Sequence, residues 1–73
     1  MENTEKNLKI ESVEIDKVVI FELTENSIYT VTNDFDGITI FNRYGKQIPD
    51  STSLGGKLYS IAQKIFNEQK KDS

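Results

Sequence analysis

The chain of 73 residues has no cysteine, no histidine and no tryptophan, and only one proline and four glycines. Lack of cysteine removes both a disulfide framework and a thiolate metal site as means of holding a small domain together. With histidine missing as well, the usual general base, the thiol nucleophile and the nitrogen and sulfur metal ligands are all gone. Long apolar runs are also lacking. None approaches the ~20 residues of a membrane-spanning helix, and Met1 to Asn7 is polar, without the apolar segment of a signal peptide. These absences predict a non-enzymatic protein with no cofactor and no metal, no membrane association and a cytoplasmic location.

Two short motifs come close to ligand sites and fail on inspection. Asp34 and Asp36 before Gly37 suggest part of a calcium loop, but the positions that should hold an acid or amide two residues before Asp34 and a Glu six residues after Gly37 are Thr32 and Arg43. Hairpin-turn chemistry accounts for these residues. Gly55-Gly56-Lys57 resembles a phosphate loop, yet the earlier glycine is missing and Leu58 stands where Ser or Thr is required.

Net charge is small in total but uneven in placement. The formal net charge is −3, but residues 1–42 carry three Lys against nine Asp and Glu, whereas residues 43–73 carry six Lys and Arg against three acids. No block of like charge reaches the length of an interaction tail.

The strongest positive signal is Leu54 to Gln69. Leu54, Leu58, Ile61, Ala62, Ile65 and Phe66 fall on one stripe of an α-helix, with Lys57, Ser60, Gln63, Lys64, Asn67 and Glu68 on the other side. Such a helix must lay its stripe on another layer. Asp50-Ser51-Thr52-Ser53 offers several N-caps, and Gly55-Gly56 leaves the start open between Ser53 and the residue after Gly56.

Everything upstream reads as strand and turn. A strand is expected from about Ile10 to Thr24, with a bulge near Glu11 and Ser12 where the alternation slips phase; it is bent at Asp16-Lys17, or divided there into two strands by a tight turn. Ser27 to Asn33 forms the next strand after a turn at Glu25-Asn26-Ser27. Asp36-Gly37 before Ile38-Thr39-Ile40-Phe41 marks a hairpin that sets Asn33 opposite Ile38 and Val31 opposite Ile40. A short strand at Lys46 to Ile48 ends at Pro49. The expected fold is α+β: a small antiparallel β-meander of three to four strands with one C-terminal amphipathic helix on one face. Residues 1–7 are expected to be a disordered tail, and residues 8–70 a single small domain.

A three-residue turn after Thr24 pairs Leu23 with Tyr29 and Phe21 with Val31. The helix then covers Val19, Phe21, Leu23, Tyr29, Val31, Ile38 and Ile40, and Val18, Ile20, Ile28 and Phe41 point away among threonines and Glu22. Four apolar side chains on a face expected to be wet make Val18, Ile20, Ile28 and Phe41, with Tyr44 at the rim, candidates for protein contact. Cover by Leu8 to Ile10, or by Tyr44 and Ile48, is the plainer explanation of the same residues. The expected function is a small binding or regulatory module acting through protein contacts, with a protein partner or a homodimer. The alternative is a nucleic-acid-associated protein, either a weak binder through Arg43, Tyr44, Lys46, Lys57 and Lys64 or an acidic DNA mimic built from Glu11, Glu14, Asp16, Glu22, Asp34 and Asp36. A calculated pI of about 4.8 argues against direct nucleic-acid binding.

Overall fold

The computed structural model describes residues 7–71, the side chain of Lys71 excepted. Five strands, β1 (Leu8–Glu14), β2 (Lys17–Glu22), β3 (Ser27–Asp34), β4 (Gly37–Phe41) and β5 (Gln47–Ile48), precede one helix, α1 (Ser53–Lys71). Each strand pairs antiparallel with its neighbour in sequence, giving one sheet in the order β1-β2-β3-β4-β5. The fold is therefore an α+β meander with the helix packed on one side, one strand longer than the sequence suggests. The tail expected at residues 1–7 falls outside the described residues except for Asn7, whose carbonyl accepts the Leu23 N–H at 2.7 Å.

The turn at Asp16 divides the first long apolar segment into two strands. Glu14 pairs with Lys17 across Ile15 and Asp16, and Asp16 takes the left-handed conformation (φ 61°) that a short polar side chain tolerates. The bulge lies between Ile10 and Ser12, as the phase slip indicates. In the β3–β4 hairpin Asn33 faces Ile38 and Val31 faces Ile40, in the expected register. Gly37 there has φ 110°, outside the region open to a branched residue. Gly37→Val is expected to destabilise the fold by more than ~1 kcal/mol in urea denaturation.

The turn between β2 and β3 overturns the expected register. It holds four residues, Leu23 to Asn26, not three, so Ile20 faces Tyr29 and Val18 faces Val31. Asn26 is left-handed (φ 55°), and the Glu22 carboxylate accepts the Glu25 N–H at 2.6 Å, closing the turn from within. The pairing is displaced by three residues, an odd number, and that turns β2 over relative to β3. Val18 and Ile20, expected on the outer face, are fully buried under the helix with Tyr29, Val31 and Ile40. Leu23, expected in the core, is an exposed turn residue, and Glu22, expected among the outward threonines, is buried.

The helix begins at Ser53, and Thr52 is its cap. Thr52 Oγ1 accepts the Gly55 N–H at 3.0 Å and donates to the Pro49 carbonyl at 2.9 Å. Leu58, Ala62 and Phe66, at spacings of four, enter the core, with Leu54, Ile61 and Ile65 packed at its margin. At the far end, Gln69 clasps the first turn of the sheet: its amide donates to the Glu14 carbonyl at 2.9 Å and accepts the Asp16 N–H at 3.3 Å. No helix among the described residues is long and apolar enough to cross a membrane.

Candidate functional site

Directly opposed residues share a face, so the register defines the surface that the helix leaves bare. Val18, Ile20, Tyr29, Val31 and Ile40 lie beneath α1, and the alternate residues form successive rows on the other side. The first row is Lys9, Phe21 and Ile28. The second is Ser12, Val19, Thr30 and Phe41. The third is Glu14, Lys17, Thr32 and Thr39, and beyond it lies Asp34. Phe21, Ile28, Val19 and Phe41 are thus contiguous, with methyl-bearing threonines beside them.

Two of the five contact candidates hold this position. Ile28 is exposed, Phe41 is half-buried, and both belong to the bare face. Tyr44 is exposed in the loop after β4, where the Arg43 guanidinium lies 5.2 Å from its ring centre. Val18 and Ile20 belong to the core, and their places are taken by Val19 and Phe21. Those two were hidden in the sequence because Val18-Val19-Ile20-Phe21 is apolar on both sides of the strand, leaving the turn length alone to decide which side is which.

The charges on the bare face are sorted along the strands. At the Ile28 end, Arg43 joins Phe21, Ile28 and Asn26 around a shallow hollow of about 330 Å³, with Lys9 in the same row as Phe21, Lys46 in the same loop as Arg43, and one acid, Glu25, exposed in the adjoining turn. At the other end stand Glu14 and Asp34, flanked by the turns that carry Asp16 and Asp36, with Lys17 among them. Phe35, fully exposed, sits at the tip of the acidic end between Asp34 and Asp36.

Both sheet edges are poorly suited to adding another strand. β1 is interrupted by its bulge and carries Lys9, Glu11 and Glu14, and β5 has two residues followed by Pro49. On the helix side, α1 packs over β2, β3 and β4, and Ile10 and Val13 of β1 stay about half-exposed beside the exposed Ile15.

The residues named for nucleic-acid contact fall on two elements. Arg43, Tyr44 and Lys46 share the loop after β4, whereas Lys57, half-buried, and Lys64, exposed, are on α1. Of the acids named for mimicry, Glu22 is buried and occupied in its turn. No group of three acidic, histidine or cysteine side chains placed to hold a metal occurs among the described residues. Compared with protein-family models, characterised proteins and solved structures, the chain matches none.

Proposed function

We propose that this protein is a small non-enzymatic binding module that acts through protein contacts made by the bare face of its sheet. The supporting observation is the contiguous group Val19, Phe21, Ile28 and Phe41 on the side opposite the only helix among the described residues. Apolar side chains gathered on one sheet face gain by leaving water, and in a domain of this size that gain is a large share of what a partner can add. The protected edges leave the face, rather than strand addition, as the route to a partner.

A photo-crosslinking residue tests this reading. With p-benzoylphenylalanine in place of Phe41, ultraviolet irradiation of cells making the protein should yield discrete protein adducts; with the same residue in place of Gln63, exposed on the helix, it should not. Equal adducts from both positions, or none from position 41, would remove the face from consideration.

A further inference from the structure

We infer that the occupant of the bare face is a second copy of this chain, packed sheet on sheet about a two-fold axis that runs across the strands through the row Val19, Thr30 and Phe41. This deepens, and rests on, the reading of the bare face as a protein-contact surface. The sorting of charge along the strands selects both the partner and its orientation.

Two orientations of a symmetric sheet pair keep the strands roughly aligned, as packed sheets prefer. A two-fold axis along the strands sets the basic end on the basic end and the acidic end on the acidic end. An axis across the strands reverses the strand direction and keeps each strand over its own copy. The row of Val19, Thr30 and Phe41 then lies on itself, with Phe41 against Phe41, and the first row of one chain lies over the third row of the other.

The rows match in chemistry. Lys9 comes over Glu14 of the second copy, because both are on β1, one in the first row and one in the third. Phe21 comes over the aliphatic stem of Lys17, and Ile28 over Thr32. Farther out, the acidic turn with Asp34, Phe35 and Asp36 extends toward the loop with Arg43, Tyr44 and Lys46, so that exposed aromatics and opposite charges meet there, whereas the turns at the two ends of β2 bring Asp16 toward Glu25, the one like-charged pairing. Each contact occurs twice by symmetry. Four strands at ~4.8 Å spacing and six residues at ~3.4 Å make a face of roughly 20 by 20 Å on each copy. Side-chain relief brings the area buried from both copies near the ~1,000 Å² at the lower end of specific interfaces. The result is a reversible dimer, not an obligate one.

Sedimentation of the purified chain in low salt tests the inference, with Lys9→Glu and Glu14→Lys as variants. Both sites are exposed on an edge strand, so both variants should keep the wild-type circular dichroism spectrum. The wild type should be dimeric at roughly 100 µM, and more weakly so as salt is raised. Either variant alone should associate about tenfold more weakly, since each sets like charges together at two symmetric places. An equimolar mixture of the two should recover dimers, because Glu at position 9 of one chain then meets Lys at position 14 of the other, and native Glu14 meets native Lys9 in the second contact.

A wild type that stays monomeric overturns the inference, as do single variants that dimerise normally or a mixture no better than its components. These failures are separable from failure of the contact-face reading. A monomeric wild type whose position 41 still crosslinks to a different protein leaves the face in use and removes only the second copy. Dimers whose position 41 gives no adduct remove both.

Discussion

Ile20→Lys is expected to leave the chain unfolded at 25 °C, while Phe21→Lys, one residue away, is expected to leave it folded. Ile20 is fully buried between the helix and the sheet, in the same cluster as Leu58, Ala62 and Phe66. Removing its side chain alone costs on the order of 2–5 kcal/mol. Placing an ammonium group there adds the cost of desolvating a charge, and the carboxylate buried nearby, that of Glu22, already closes its own turn. A domain of this length has a total stability of roughly 4–11 kcal/mol, so the sum of the two exhausts it. Phe21 faces outward in the first row of the bare face, where lysine keeps its head in water, and the change is expected within about 1 kcal/mol. Circular dichroism with urea titration of both variants reads the result. Survival of Ile20→Lys and collapse of Phe21→Lys would mean that β2 presents its other side to the helix.

Gly55→Ala is expected to destabilise the protein although alanine is the better helix former. Gly55 is buried in the first turn of α1, and a methyl group there runs into the Pro49 carbonyl oxygen and comes within 2.7 Å of Thr52 Oγ1. The obstructing atom is backbone, and the hydroxyl beside it is held by the hydrogen bonds that cap the helix. Overpacking of that kind costs ~1–3 kcal/mol beyond the ~1 kcal/mol that alanine returns in helix propensity. Gly56→Ala supplies the contrast. A methyl group at Gly56 meets the Asp50 carbonyl oxygen at 3.5 Å, an ordinary contact, so the propensity gain of up to ~1 kcal/mol is retained. Urea midpoints should therefore move in opposite directions for adjacent glycines, and equal shifts would contradict the packing of the helix start.

The two glycines show where the sequence was readable and where it was not. A period of three to four residues located the helix from Leu54 to Gln69, but several possible caps and Gly55-Gly56 left its start open between Ser53 and the residue after Gly56. The need for glycine at 55 depends on where Pro49 lies after β5, a contact between segments that no local pattern encodes. The sheet repeats the contrast. Asp36-Gly37 fixed one hairpin register because its turn has a strong signature, so Val31 and Ile40 fell on the right side. The Leu23 to Asn26 turn has no such signature, and its length follows from the Glu22 carboxylate folding back onto the Glu25 N–H. Because β2 is apolar on both sides, one misread turn exchanged Val18 and Ile20 for Val19 and Phe21. Ile28 and Phe41, on strands whose mutual register was legible, remained on the outer face.

The clasp made by Gln69 has a consequence for the order of assembly. Every strand pairs with the one before it, so each sheet contact closes only a short loop of chain, whereas the clasp joins residues separated by more than fifty positions. Short closures cost little entropy and form early, and long ones form late. The meander should therefore be largely built in the folding transition state, with the last turn of the helix settling on the Asp16 turn afterwards. Weakening the clasp would then speed unfolding and leave the folding rate nearly unchanged.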